Sequence, residues 1–234
     1  MKVRFSCLPG YEDIVPRPQL ATGGLPEWLK RMPSKAESAV LAGAEVRTVK
    51  QCPPFLDAMQ AGILFPLAAD LTFENGEFSW DWDLPAQPAT RATRSPIGVH
   101  VPEQAAGVPG VPEGQFAVKF NAFWTVKLPD GCSMLFSHPA NRLDLPYRTL
   151  TGLVDADLWR DGLVHFPALW TDPEFTGTLP AGTPVAQGWP VPREALELEF
   201  TTMDDEALSR HSAVQDGLQS EPGFYRKSFR AKRG

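Results

Sequence analysis

The chain has 234 residues, 43% hydrophobic and 21% charged, which is enough for one sizeable core. A net charge of −6 argues against general nucleic-acid binding or anionic-membrane binding, which need clustered Lys and Arg, and no run is long and apolar enough for a transmembrane helix. Three scattered cysteines, Cys7, Cys52 and Cys132, form no CxxC pair; they argue against a thiolate zinc site or a disulfide framework, and the charged start at 1–7, with no apolar run behind it, fits a cytoplasmic protein.

The 24 prolines and 19 glycines are spread along the chain. Proline blocks helix interiors, so the spacing predicts short strands joined by turns, with few short helices. Residues 1–62 read as an N-terminal arm. A strand lies in "KVRFSCL", and a helix in "LPEWLKRMP" has Pro26 in its first turn and Pro33 as its stop, with Trp28 and Leu29 turned to the core. A second helix runs from Pro54 to about Gln60 and ends at Gly62.

Residues 63–200 read as a β core domain. Over 63–83, "ENGE" places Asn-Gly between two alternating apolar runs, a hairpin signal, and "FSWDW" puts Phe78, Trp80 and Trp82 on one face. Residues 84–114 form a long loop with a short strand at "GVHV". Strands then follow in "FAVKFNAFWTVKLP", "CSMLFSHP", "RTLTGLVDADLW" and "LVHFPALW", and "GTLPAGTPVAQGWPVP" reads as strand, turn, strand. "LELEFTTM" reads as a last strand. Residues 201–234 supply a C-terminal helix, "DDEALSRHSAV", with an acidic first turn that suits the helix dipole, and a basic tail of Arg226, Lys227, Arg230, Lys232 and Arg233 that reads as a solvated end.

Asp155 and Asp157 in "TGLVDADLW" have two readings. If the strand continues, residues i and i+2 face one side, and paired carboxylates can activate a water or hold a divalent cation. Otherwise they are solvated acids at a strand end. Arg142 in "NRLDLP" either pairs with Asp144 on the surface or clamps a phosphate with its planar fork. Trp159 packs as core or lines a pocket near Asp155, where its flat face suits a base or sugar. Gln187 in "AGTPVAQGW" satisfies a neighbouring strand's backbone. A competing set is His100, His138 and His165, which in a cupin-like barrel would hold Fe or Zn, although no HxH or HxD pair is present.

In order and spacing, residues 65–192 resemble the dUTPase and dCTP deaminase superfamily. "KLPDGC" resembles its strand–turn–strand, "FSHPANR" lies where its phosphate-contacting motif lies, "LTGLVDAD" resembles its Gly-apolar-apolar-Asp-x-Asp segment, "LPAGTPVAQGWP" its late Gly-x-x-Ala-Gln strand, and "PLAADLTF" its first motif. The resemblance implies a single-domain distorted β-barrel or β-clip. It also implies a homotrimer with shared sites and a nucleotide-like phosphorylated small molecule, bound or hydrolysed with Mg²⁺ by a nucleotide hydrolase or deaminase-like enzyme. Carried across, Asp155 positions water, Asp70 or Asp157 helps hold Mg²⁺, Asn141 or Arg142 meets phosphate, and Gln187 matches the late strand. The chain departs from the pattern at His138-Pro139-Ala140-Asn141, at Leu158 and Arg160, and in lacking a Gly-rich C-terminal phosphate loop, for which "EPGFYRKSF" is a basic substitute. The whole chain also resembles a group of bacterial and tailed-phage proteins with "CPPF", "GLVD" and "GTPxAQ" segments, a resemblance that implies no reaction. Two alternatives stay open: a cupin-like non-haem metal enzyme using the histidines, and a non-catalytic structural or regulatory oligomer.

Overall fold

The computed structural model describes residues 1–87, 91, 93–108, 111, 114 and 117–231. The fold is mostly β, built from small antiparallel sheets with few short helices. The strands are β1 (Arg4–Ser6), β2 (Gln19–Leu20), β3 (Lys35–Ser38), β4 (Ala44–Arg47), β5 (Ile63–Pro66), β6 (Leu71–Glu74), β7 (Glu77–Ser79) and β8 (Ile97–His100), followed by β9 (Ala117–Phe120), β10 (Thr125–Lys127), β11 (Cys132–Ser137), β12 (Tyr147–Thr149), β13 (Gly152–Val154), β14 (Phe166–Trp170), β15 (Gly177–Leu179) and β16 (Pro184–Pro192). The α-helices are α1 (Glu27–Arg31), α2 (Pro53–Gln60), α3 (Asp205–Ser220) and α4 (Phe224–Ser228). Among the described residues no helix is long and apolar enough to cross a membrane.

By its contacts the chain divides into two units, Met1–Met32 with Asp57–Arg193, and Pro33–Leu56 with Glu194–Gly234. The first unit holds a five-stranded sheet in the order β13-β11-β16-β5-β2 and a four-stranded sheet in the order β12-β14-β9-β8. Their inner faces meet through aromatic rings. Phe65 of β5 lies 5.2 Å from both Phe136 of β11 and Phe166 of β14, centroid to centroid. Two side chains also bond across the sheets. The Tyr147 hydroxyl donates to the Pro184 carbonyl at 2.9 Å, and Thr149 Oγ1 donates to the Val185 carbonyl at 2.5 Å. A smaller cluster of Tyr11, Val15, Ala68, Leu84 and Phe123 extends the core.

Local sequence set most turns. Asn75 and Gly76 both take positive φ (51° and 81°), the paired left-handed geometry that a two-residue hairpin between β6 and β7 requires. The apolar run of β5 does not join that hairpin; with every position apolar it lies inside the larger sheet, between β16 and β2. Likewise β15 pairs with β6 and β16 pairs with β11 and β5, so "GTLPAGTPVAQGWPVP" is two strands that belong to different sheets.

The second unit contains the β3–β4 hairpin, α3 and α4. Asp204 caps α3, its carboxylate accepting from the Ala207 amide at 2.8 Å, and Asp205 and Glu206 occupy the first turn, as the acidic run predicts. Gly217 gives the Phe224 ring room; a Cβ there would sit 2.4 Å from Phe224 Cζ. The segment expected as a last strand, "LELEFTTM", forms no strand. Of the basic tail, Lys232 and Arg233 lie outside the described residues.

Candidate functional site

The five-stranded sheet builds a charged cluster at one end of β11. The Pro129–Gly131 turn feeds β11, and the register sets Cys132 opposite Pro192 and Met134 opposite Val154. Ser133, Asp155 and Arg193 therefore emerge together, one from each of three adjacent strands or its end. Beyond Val154 the chain does not stay extended. The amides of Leu158 and Trp159 both donate to the Asp155 carbonyl, at 2.9 and 2.8 Å, closing a helical turn. Asp155 and Asp157 thus do not share a face by strand periodicity; the turn brings both to the Arg193 guanidinium instead.

The geometry of the cluster is well defined. Arg193 donates through Nη1 to Asp157 Oδ1 at 2.7 Å and through Nη2 to Asp157 Oδ2 at 2.5 Å. Asp157 Oδ2 also accepts from the Gly131 amide at 2.8 Å. The Arg193 hydrogen bond, aided by the Gly131 amide and opposed by burial, holds the Asp157 carboxyl well below the usual carboxylate range. Arg193 Nη1 further reaches the Cys132 carbonyl and Ser133 Oγ, each at 3.2 Å, and Asp155 Oδ1 at 3.4 Å. Ser133 Oγ donates to that same Asp155 oxygen at 2.6 Å. Asp155 Oδ2 takes no hydrogen bond among the described residues, and the Asp155 side chain is 53% exposed against 4% for Asp157. The two acids differ accordingly: Asp157 is a buried anchor, and Asp155 is a pinned carboxylate with one oxygen open to solvent.

A second network surrounds Gln187, at the other end of β11. Gln187 lies opposite Ser137, four residues and about 13 Å along the strand from Ser133. Its buried amide accepts from the Ala140 amide at 2.8 Å and donates to the carbonyls of Ala58 and Ala61 at 3.0 and 2.6 Å. This satisfies neighbouring backbone, the structural role expected of it. Asn141 takes φ 58° in the turn that docks there. Arg142 forks onto Asp144, with Nε to Oδ1 and Nη2 to Oδ2 both at 2.9 Å, so its planar face is committed to the local pair and not to the Asp155 cluster.

The side chains of the other expected residues bond outside that cluster. Asp70 is exposed and accepts from the Ala181 amide at 2.7 Å. Trp159 is exposed, stacks over Gly162 and donates to the Leu163 carbonyl at 3.3 Å. His100 Nδ1 lies 3.1 Å from Gln104 Oε1. His138 uses both ring nitrogens on backbone, Nδ1 accepting from the Thr149 amide at 3.3 Å and Nε2 donating to the Arg142 carbonyl at 2.9 Å; burial lowers its pKa. His165 Nδ1 accepts from the Ala122 amide at 3.3 Å, and burial, with Lys119 nearby, pushes it down to about 4.

Among the described residues no three His, Cys, Asp or Glu gather as a metal site, and the oxygens of Asp157 already face a guanidinium and an amide. Sequence reasoning missed Ser133 and Arg193. Their only signal is register: neither lies near Asp155 in sequence, and the pairing of β11 with β13 and β16 alone brings them together.

No family model matches the chain, and no curated protein matches it. Two solved structures of the dUTPase from Staphylococcus bacteriophage 80alpha, both variants with dUpNHpp, are similar to it in structure. One is 14% identical over 47% of this chain and 89% of its own, with a TM-score of 0.29. The other is 12% identical over 47% and 97%, with a TM-score of 0.28.

Proposed function

We propose that this chain is a dUTPase-like β protein that self-associates, as a homotrimer, and binds a nucleotide-like phosphorylated small molecule through Asp155. One observation carries the reading. Asp155 is held through Oδ1 by Ser133 and Arg193, while Oδ2 stays open on a half-exposed side chain. A carboxylate fixed in this way accepts a hydrogen bond from a sugar hydroxyl, a ring N–H or an attacking water without first paying to order itself. The site is Asp155 with Ser133 and Arg193 as its supports. The motif resemblance over 65–192 supplies the ligand class.

The commitments of Arg142 to Asp144 and of Gln187 to backbone favour a second reading, a structural or regulatory oligomer on the same fold without turnover. One experiment separates them. Purified protein is mixed with a panel of nucleotides and phosphorylated metabolites, with and without Mg²⁺, while thermal shift reads binding and mass spectrometry reads products. A nucleotide that raises Tm for the wild type and not for Asp155→Asn supports the first reading, and product formation makes it an enzyme. A panel with neither shift nor product leaves the second.

A further inference from the structure

The outer face of the β1–β10 ladder carries two cavities that the Asp155 cluster does not use. Arg4 stands opposite Lys127, and Ser6 opposite Thr125. Between them Phe5 packs against the core and Val126 is buried in it. Side chains alternate along a strand, so Arg4, Ser6, Thr125 and Lys127 share the outward face. The two pairs lie two residues, about 7 Å, apart along it. All of these residues belong to the first unit.

At the Arg4 end, Lys2, Arg4 and Lys127 line a depression of about 180 Å³ with Leu128 and Pro129. Among the described residues no acid lines it, and none of the three cations has an ion-pair partner. Like charges directly opposite in a ladder repel, and a bound anion relieves that repulsion. At the Ser6 end lies a cavity of about 430 Å³, within the roughly 300–1,000 Å³ of small-molecule sites. Leu8 and Leu163 give it an apolar wall, and Ser6, Thr125 and His165 supply polar groups. His165 Nδ1 accepts from the Ala122 amide, so the neutral ring carries its proton on Nε2, which has no partner among the described residues. A neutral N–H suits a carbonyl oxygen. Thr125 Oγ1 donates to the Ser6 carbonyl at 3.2 Å, which leaves its lone pairs to accept. Asp161 also lines this cavity, with its side chain almost wholly in water.

We propose that this face is a second binding site, which takes a phosphate monoester of a small neutral molecule bearing a carbonyl group. The phosphate sits among Lys2, Arg4 and Lys127. The body fills the cavity beside Ser6, with its carbonyl on His165 Nε2. Phosphate is the anion because three cations match its several oxygens better than the two of a carboxylate. Asp155, Ser133 and Arg193 line neither cavity, so the site stands apart from the ligand proposed for Asp155.

The test is titration of the full chain with three probes, inorganic phosphate, N-acetylglucosamine and N-acetylglucosamine 6-phosphate, read by calorimetry and by amide NMR shifts. The monoester is expected to bind at least about tenfold more tightly than either half, because it engages both ends at once. It is expected to shift the amides of residues 2–6, 125–127 and 165. Arg4→Gln with Lys127→Gln is expected to remove the monoester's advantage over the unphosphorylated sugar. Ser6→Phe plugs the larger cavity and is expected to bring the monoester down to the level of inorganic phosphate. Both variants alter outward side chains and are expected to keep the far-UV circular dichroism of the wild type. Asp155→Asn is expected to bind the monoester as the wild type does. A wild type that binds the monoester no more tightly than inorganic phosphate overturns the proposal, as does an Arg4→Gln, Lys127→Gln variant that binds it undiminished. Loss of monoester binding in Asp155→Asn alone also overturns it, and assigns the ligand to the Asp155 site instead.

Discussion

Arg193 and Asp157 meet at two points, Nη1 to Oδ1 at 2.7 Å and Nη2 to Oδ2 at 2.5 Å, and this fork ties the end of β16 to the turn after β13. A planar guanidinium suits that task better than an ammonium, because its two donors match the two oxygens. The same guanidinium also touches the oxygen of Asp155 that Ser133 holds, so the anchor and the exposed carboxylate share one support.

Arg193→Ala removes the partner of a carboxylate that is nearly out of water. The expected result is a clear fall in the urea midpoint, larger than that of Arg210→Ala, whose partner Glu206 is exposed and screened. Asp155→Asn, with its side chain half exposed, is expected to leave the midpoint nearly unchanged. Equilibrium denaturation of the three variants side by side checks both statements.

Acid should weaken the fold through Asp157. Its folded pKa is depressed below the unfolded value of about 3.9, so the stability it brings is complete above that value and is lost as pH falls from there toward the folded pKa. Arg193→Lys or Arg193→Ala should flatten this acid limb. Urea midpoints taken from about pH 5 downward measure it.

His165 acts in a higher window. It is buried in the neutral form with a pKa near 4, against about 6.5 unfolded. The unfolded chain therefore takes up the proton first, and stability is complete above about pH 6.5 and declines as pH falls toward 4. His165→Asn keeps an acceptor for the Ala122 amide and removes the titration. Its stability between those pH values is expected to be flatter than that of the wild type, by thermal melts across the range.

Gln187→Leu keeps the volume and strips three bonds, leaving the Ala140 amide and the Ala58 and Ala61 carbonyls short of a partner. A loss of roughly 3 kcal/mol is expected, the cost of unpaired buried polar groups. Gln187→Leu that melts like the wild type would sink the structural role assigned to this side chain.

Gly62→Ala tests the end of α2. Gly62 takes φ 75°, and a Cβ there would lie 2.2 Å from the Gly188 carbonyl oxygen of β16. Backbone strain and that clash together predict a loss of at least about 2 kcal/mol, seen as a lower midpoint with unchanged slope.

The local features were legible in the sequence because each rests on near neighbours. Proline and glycine marked the ends of α1 and α2, Asn75-Gly76 marked the β6–β7 turn, the acids at 204–206 marked the start of α3, and alternation marked most strands. Composition alone determined the mostly β class. Which strands pair was not legible. The apolar run of β5 reads as one arm of the β6–β7 hairpin until β16 and β2 claim it, and "LELEFTTM" alternates like a strand yet forms none. Asp155 was singled out from its motif, yet its state was decided by Ser133 and Arg193, which lie 22 and 38 residues away and meet it only through the register of β11 with its two neighbours. Arg142 shows the converse, since its fork went to Asp144, two residues on. Propensity and patterning act over a few residues, so the chain alone determined its elements. Charge pairing acts through space, so only the tertiary structure decided which carboxylate was buried and which was left open.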